Sequence, residues 1–375
     1  MVTRPAYAGT LFGIAIALTL LCMWIVIPPF VIPALIATVI TIEWSPYLFA
    51  LNAIVLLLAW LARTWRRWAT GGSLRTFRRW GAVALTIVNL AICAIPTVAL
   101  VASQRDDRTF SVSNTRPSGV VFEEDLRIGM PNFTATIRQY LPPQPNQCPA
   151  VVFAIYGGAW QRGSAENDAG LNRALAARGY QVFALEYRHA PAFQFPKPLE
   201  DINREIDWVT QQLSRRNCGP PRVALLGHSA GGELAMVAAY TRLNIQAVVS
   251  YSGPIDLDQA YRVPPQPDPL DVRAILRAYL GAPPALARDA YRAASPLNLV
   301  RAHLPPTLLL YAGRDHVVDI RAPMELRDAL QAHGDDVTFV RFPWAEHGFE
   351  EVPFGLHGHL ALDAVDAFLT RTLAE

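Results

Sequence analysis

The sequence predicts an α/β domain with a mostly parallel sheet, preceded by an α-helical transmembrane region. Apolar runs alternate with helical patterns over residues 120–375, which is typical of a parallel sheet with helices on its faces. Residues 1–104 instead hold long uncharged apolar stretches, and residues 1–105 contain eight arginines against a single acid, Glu43. The formal net charge of +2 therefore conceals a basic first part and an acidic remainder. We divide the chain into an anchor at 1–104, a linker at 105–119 and the α/β domain at 120–375.

The α/β domain is predicted element by element from apolar runs and helical periodicity. The predicted strands lie near 120–140, 150–155, 181–186, 222–227, 246–251, 307–312 and 337–342. The predicted helices lie near 167–178, 199–214, 230–241, 322–333 and 359–373. One long proline-rich insertion, Pro254–Pro306, carries a short helix near 270–280, and we expect it to form a modest rim without a large lid.

The anchor is predicted to contain about three spans. Tyr7–Ile27 and Gly81–Ser103 are each long enough to cross a bilayer. Tyr47–Ala62 is shorter, but tryptophans flank it as they flank membrane spans. Prolines break Phe30–Ile42, which we interpret as a re-entrant or interfacial piece or as a continuation of a tilted first helix. Buried helices of a soluble core are the alternative, while a cleaved signal peptide would explain only the first span.

The arginines predict the orientation of these spans. Six of them lie in the loop Arg63–Trp80, and short basic loops stay on the cytoplasmic side. With Arg4 inside as well, three spans would leave the α/β domain in the periplasm or outside the cell. Lys197 is the only lysine, a bias typical of GC-rich bacterial genomes. We therefore expect a multi-pass protein of a bacterial inner membrane, with the lipid bilayer as a partner and no nucleic acid.

The segment Gly227-His228-Ser229-Ala230-Gly231-Gly232 indicates a nucleophilic serine. It lies between an apolar run and a helical stretch, so Ser229 occupies a sharp strand-to-helix turn. Glycines two residues before and after supply the room that such a turn needs. The segment therefore predicts a nucleophile elbow, in which the serine hydroxyl is exposed at the edge of the sheet.

A serine hydroxyl needs a base and a carboxylate that orients the base. Asp315 follows the predicted strand 307–312, and His347 lies in the loop after the predicted strand 337–342. Because both follow strands directly, we choose Asp315 as the acid and His347 as the base. The competing residues fall inside or near helices and fit less well; they are Asp319, His316, His357 and His359.

Attack on a carbonyl group also needs backbone N–H donors for the oxyanion. Gly157 and Gly158 follow the predicted strand 150–155, and paired glycines let the backbone approach a substrate oxygen. We assign the oxyanion hole to Gly157, Gly158 and the amide of Ala230, next to the nucleophile. A plain Gly-Gly turn is the alternative for this loop.

Together these motifs resemble the α/β-hydrolase family, in its esterase and lipase group with an HGGG or HGG-x-W loop before G-x-S-A-G-G. The resemblance covers Val120–Leu373. It implies the α/β-hydrolase fold and hydrolysis of carboxylic esters. Tyr156 stands where the group usually has a histidine, and we expect its hydroxyl to support the oxyanion loop.

We therefore expect a membrane-anchored serine hydrolase acting on a small-molecule or lipid ester, without a cofactor or a metal. An amidase or formamidase, or a small-peptide hydrolase, would use the same triad. A non-catalytic membrane receptor or scaffold with a hydrolase fold is the alternative of another class. The sequence leaves the oligomeric state open.

Cys148 and Cys218 each precede a strand, and in this fold those two strands are parallel neighbours. Both cysteines would therefore emerge at the same edge of the sheet. If the domain lies outside the cytoplasm, oxidation is expected. A disulfide between them and two free thiols both remain open.

Overall fold

A computed structural model of the chain describes residues 7–64, 73–106, 121–130, 133–143, 150–215, 220–352 and 354–373. The predicted linker 105–119 lies almost entirely outside these residues, as do Cys148 and Cys218. The bridge between the two cysteines therefore stays a prediction.

The first part of the chain is helical. It comprises α1 (Tyr7–Cys22), α2 (Ile32–Glu43), α3 (Ser45–Thr64) and α4 (Ser73–Asp106), with a short 3-10 helix at Met23–Ile25. Helices α1 and α3 pack against α4. Among the described residues, the stretch Trp80–Ser103 of α4 is long and apolar enough to cross a membrane. Helices α2 and α3 are long and apolar enough only when they are taken together, and they are bent by 70° relative to each other. The stretch Gly9–Ile25 is apolar but shorter than a membrane span requires.

The described residues from 121 onward form one eight-stranded sheet with helices. Its strands are β1 (Phe122–Met130), β2 (Phe133–Leu141), β3 (Val151–Ile155), β4 (Gln181–Ala184), β5 (Val223–His228), β6 (Ala247–Tyr251), β7 (Thr307–Ala312) and β8 (Val337–Phe342). Its helices are α5 (Ala169–Ala177), α6 (Lys197–Ser214), α7 (Ala230–Thr241), α8 (Leu257–Arg262), α9 (Val272–Leu280), α10 (Arg288–Ala293), α11 (Arg321–Ala332) and α12 (Gly358–Thr372).

The strand order in the sheet is β1-β2-β4-β3-β5-β6-β7-β8. Strands β4, β3, β5, β6, β7 and β8 are parallel to one another. The predicted strand region 120–140 forms the antiparallel hairpin of β1 and β2, which pairs with β4. The mostly parallel sheet is thus confirmed, and each parallel strand lies within two residues of its predicted bounds.

Both faces of the sheet are covered by apolar side chains. In β5, Val223 and Leu225 belong to one core cluster, whereas Ala224 and Leu226 belong to the cluster on the opposite face. This alternation follows from the two-residue period of a strand. Because both faces are buried, the central strands are continuous apolar runs, and this explains why they could be predicted.

The insertion Pro254–Pro306 is more helical than predicted. It contains the expected helix, α9, but also α8, α10 and a 3-10 helix at Pro296–Leu299. Helices α8 and α10 have six residues each, too few to show a clear periodicity in the sequence.

Polar contacts join the helical part to the sheet domain. The Glu43 carboxylate at the end of α2 accepts hydrogen bonds from the backbone N–H of His357 (2.8 Å) and lies 2.6 Å from its Nδ1. Both side chains are fully buried. The Arg314 guanidinium donates to the carbonyl oxygens of Ile25 and Val26, and Trp344 Nε1 donates to that of Ile25 at 3.2 Å.

Glu43→Ala is expected to lower the free energy of unfolding by about 3 kcal/mol or more, because it leaves the buried His357 without its partner. The measurement is thermal or denaturant unfolding of the purified full chain. Asp336→Ala is the control, since it breaks the exposed pair between Asp336 and Arg371, which should contribute less than about 1 kcal/mol. Equal losses in the two variants would contradict the importance of the Glu43–His357 contact.

Candidate active site

Ser229 is the single residue between β5 and α7. Its backbone is strained, with φ 49° and ψ −118°. The turn is so tight that a Cβ on Gly227 would lie 2.1 Å from the carbonyl oxygen of Gly231, and one on Gly231 would lie 2.1 Å from that of Ile155. Strain of this kind persists where the surrounding structure holds it, and it is frequent at functional sites.

Three predicted residues meet at the carboxyl edge of the sheet. His347 Nε2 lies 2.9 Å from Ser229 Oγ, and His347 Nδ1 lies 2.9 Å from Asp315 Oδ2. The other carboxylate oxygen of Asp315 accepts hydrogen bonds from the backbone N–H groups of Val317 and Val318, at 2.8 and 2.7 Å. Asp315 is therefore held by its own loop, with one oxygen directed at the imidazole.

Glu346 joins the loops that carry Asp315 and His347. Its carboxylate is fully buried and accepts hydrogen bonds from the backbone N–H groups of His316 (2.8 Å) and His347 (3.0 Å). Its second oxygen lies 2.5 Å from His316 Nδ1. One side chain thus fixes the backbone next to Asp315 and the backbone of His347.

The electrostatic surroundings favour the protonated form of His347. Burial alone lowers the pKa of the imidazole, but the adjacent Asp315 carboxylate opposes it, and together with nearby glutamates raises that pKa to about 9. The Asp315 carboxylate thus stabilises the imidazolium, the form that a histidine takes once it has accepted a proton.

The competing residues are engaged elsewhere. His316 pairs with Glu346, and His357 pairs with Glu43. His359 Nδ1 lies 3.2 Å from the carbonyl oxygen of Gly355. Asp319 accepts from Arg321 Nε at 2.9 Å. The hydrogen-bonded chain from Ser229 therefore runs through His347 and Asp315.

The loop after β3 comes close to Ser229. A Cβ on Gly157 would stand 3.2 Å from that of Ser229, and one on Gly158, whose φ is 129°, would stand 2.0 Å from the Arg162 carbonyl oxygen. Ala159 and Trp160 both have positive φ, at 55° and 58°. The structure thus brings Gly157, Gly158 and Ala230 around the same cavity as Ser229 and His347.

Tyr156 is buried behind this loop. Its hydroxyl donates to Glu186 Oε1 at 2.6 Å and lies 2.9 Å from His189 Nε2. Its ring stacks on Tyr187, with the ring centroids 4.5 Å apart. The second oxygen of Glu186 accepts from the N–H of Ala165 at 3.1 Å. Tyr156 thereby ties the start of the loop to the segment that follows β4.

Two buried carboxylate contacts next to the site were not predicted. Glu233, in the first turn of α7, accepts from Trp160 Nε1 at 2.9 Å and from the Tyr279 hydroxyl at 3.2 Å. Burial raises the pKa of Glu233 to about 8 despite these donors. Trp160 and Tyr279 stack with centroids 4.2 Å apart, so Glu233 connects the strained loop to α9. The sequence did contain a sign of this contact, because Glu233 is a lone acidic residue in the apolar helix that follows the elbow.

His228 forms the second unpredicted contact. Its Nδ1 lies 3.1 Å from Glu350 Oε1, and its ring stacks on Tyr251. Burial lowers the pKa of His228, but the carboxylates of Asp168 and Glu350 outweigh that effect and raise it to about 9. The pair links the strand before Ser229 to the segment after His347.

A cavity of about 400 Å³ adjoins Ser229 and His347, a size that suits a small ligand. Residues of the sheet domain supply most of its walls, among them Ile255, Leu257, Leu276 and Val318. Three further residues come from α2 in the helical part of the chain: Ile32, Leu35 and Ile36.

The mostly parallel sheet with helices defines the α/β-hydrolase fold. A hyperthermophilic esterase from the archaeon Pyrobaculum calidifontis shares the fold, with a TM-score of 0.60 at 22% identity, over 75% of this chain and 94% of the other. The BD-FAE family model matches residues 138–330, more than half of the sequence, and the chain belongs to this family.

Two curated proteins illustrate the relationship. The probable carboxylic ester hydrolase LipM of Mycobacterium tuberculosis is 28% identical over 60% of this chain and 54% of its own length. An acetyl-hydrolase of Streptomyces hygroscopicus is 31% identical over 59% of this chain and 75% of its own length. The chain spans about half the length of LipM and of the M. tuberculosis esterases LipC and LipQ.

Proposed function

We propose that the chain is a serine hydrolase that cleaves carboxylic esters through Ser229, His347 and Asp315. The observation that carries the proposal is the continuous hydrogen-bonded chain from Ser229 Oγ through His347 to Asp315, with 2.9 Å at each step. Membership of the BD-FAE family and the similarity to LipM and to the acetyl-hydrolase support the ester as the bond cleaved.

The first half of the proposed reaction forms an acyl-enzyme. Ser229 Oγ attacks the ester carbonyl carbon while its proton moves to His347 Nε2, and Asp315 stabilises the imidazolium. The backbone N–H groups of Gly157, Gly158 and Ala230 stabilise the oxyanion. When the tetrahedral intermediate collapses, the C–O bond to the alcohol breaks, and His347 returns the proton to the leaving oxygen.

The second half releases the acid. Water attacks the acyl carbon and gives a proton to His347, which then protonates Ser229 Oγ as the serine ester bond breaks. The products are one alcohol and one carboxylic acid, and the serine is restored. Tyr156 takes no part in proton transfer; it positions the oxyanion loop through Glu186 and His189.

We further propose that the helical part anchors the enzyme in a membrane, with the hydrolase domain outside the cytoplasm. Large apolar side chains are exposed along α3 and α4, including Leu57, Trp60, Ile87 and Val98, and such surface is costly in water. The six arginines over 63–80, which extend from the end of α3 into the start of α4 rather than lying wholly in a loop, support the orientation. The bilayer is then a partner of the N-terminal helices.

Ser229→Ala is expected to lower ester hydrolysis by several orders of magnitude and to abolish labelling by a fluorophosphonate probe, because it removes the nucleophile. His347→Ala and Asp315→Asn are also expected to be severely impaired. The measurement is hydrolysis of p-nitrophenyl acetate by the purified full chain. His316→Ala is the control, since His316 lies beside the site but outside the proposed triad. Undiminished turnover in Ser229→Ala would exclude the serine mechanism.

Tyr156→Phe is expected to slow hydrolysis moderately, by less than the about 100-fold that follows loss of an oxyanion donor, because only the support of the loop is lost. The kcat for p-nitrophenyl acetate is the readout. Tyr180→Phe is a matched control, since it loses hydrogen bonds to Asp366 and Thr370 away from the site. An unchanged kcat in Tyr156→Phe would show that the hydroxyl does not support the loop.

The membrane orientation predicts where a fused reporter works. A reporter enzyme that is active only in the periplasm should be active after Glu375 and silent within Arg66–Arg79, because the two points lie on opposite sides of the membrane. Reporter activity and protein level are measured together in cells. The reverse pattern would place the active site in the cytoplasm.

A further inference from the structure

Helix α2 supplies a wall of the active-site cavity. Ile32, Leu35 and Ile36 line the same space as Ser229 and His347, although some 190 residues or more of sequence separate them from the nucleophile. All three are apolar and stand on one side of α2, one turn apart or less. The helical part of the chain therefore does more than precede the hydrolase domain.

The position of this wall is fixed relative to the catalytic loops. At the end of α2, Glu43 is bound to His357 in a fully buried contact. Before α2, the carbonyl oxygens of Ile25 and Val26 accept hydrogen bonds from Arg314, the residue next to Asp315. Trp344, three residues before His347, also donates to Ile25. The start of the segment that carries α2 is thus attached to the loops of Asp315 and His347, and its end is attached to the residue that precedes α12.

The insertion Pro254–Pro306 also supplies apolar lining, from Leu257, Ala260, Val263, Ile275 and Leu276, next to the polar side chains of Asp256 and Gln259. A space lined mainly by aliphatic side chains favours an apolar chain over a polar group, because burying an unpaired polar group costs free energy. The volume of about 400 Å³ exceeds what an acetyl group fills.

We propose that α2 is the acyl-binding wall of the enzyme and that the substrate is an ester with a long acyl chain. This inference rests on the proposed ester hydrolysis and specifies its substrate class. The acyl chain lies between α2 and the helices α8 and α9, with its carbonyl group at Ser229. Phe30 and Val31, exposed just before Ile32, extend the apolar surface away from the cavity.

The test replaces one isoleucine that lines the cavity and one isoleucine of nearly equal exposure that does not. Ile36 on α2 is 54% exposed and Ile54 on α3 is 53% exposed, but only Ile36 lines the cavity. A tryptophan at position 36 fills the wall side of the cavity, whereas the same change at position 54 does not. Full-length Ile36→Trp and Ile54→Trp are purified in detergent, and active sites are counted with a fluorophosphonate probe.

The kcat/KM per active site is measured for p-nitrophenyl acetate and p-nitrophenyl laurate. Ile36→Trp is expected to lower the ratio of laurate to acetate hydrolysis about tenfold or more, the range for a changed fit in an apolar pocket. Ile54→Trp is expected to keep the ratio of the unmodified chain. The same laurate-to-acetate ratio in all three proteins would overturn the assignment of α2 as the acyl-binding wall. A kcat/KM for laurate below that for acetate in the unmodified chain would overturn the proposed substrate class.

A second experiment asks whether the acyl chain is recognised in the cavity or whether α2 only gives access to esters held in a bilayer. The proteins are reconstituted in phosphatidylcholine vesicles that contain a dilauroyl glycerol, and release of laurate is measured. If Ile36→Trp hydrolyses both p-nitrophenyl laurate and the dilauroyl glycerol more slowly than the unmodified chain, recognition of the acyl chain itself is supported. A loss confined to the vesicle substrate would show that α2 acts through the bilayer, and would overturn the assignment to the cavity. If the unmodified chain neither reacts with the probe nor hydrolyses any ester, the proposed function fails instead.

Discussion

The parallel register of β5, β7 and β8 is the constraint on which the candidate site depends. Ser229 follows β5 directly, Asp315 lies three residues past β7, and His347 lies five past β8. Because these strands run in the same direction, their carboxyl ends meet at one edge of the sheet, where ligands of such folds bind. Backbone pairing continues past the end of β7, where the Gly313 N–H donates to the carbonyl oxygen of Phe342, the last residue of β8, at 2.8 Å. Asp315 and His347 therefore lie on loops that begin at a fixed separation.

Short elements and local motifs could be predicted from the sequence because their physical causes are local. The apolar runs of β3 to β8 reflect burial on both faces of the sheet. The elbow at Ser229 is recognisable because only small residues fit a backbone that comes within 2.1 Å of an added Cβ. Asp315 and His347 could be chosen over His316 and Asp319 because they follow strands directly, and their assignment as acid and base stays a proposal.

The residues that the sequence did not reveal act through distant partners. Glu43 and His357 are 314 positions apart, and neither belongs to a motif. In the sequence, nothing but its position next to His347 distinguishes Glu346. It joins the loops of Asp315 and His347 because these loops meet in the fold. The wall residues Ile32 and Ile36 lie in a stretch whose prolines and apolar composition indicated a membrane element; their place beside Ser229 depends on how that helix packs on the sheet domain.

The attachment of the helical part to the catalytic loops has a consequence for work with isolated fragments. A fragment that began after α4 would expose His357, leave the Arg314 guanidinium without its carbonyl acceptors and open the cavity on the side of α2. Its loops at Asp315 and His347 would lose their outer supports at the same time. The site of such a fragment would be wider and looser than that of the intact chain, so ligand binding to the isolated sheet domain is a poor guide to ligand binding by the whole protein.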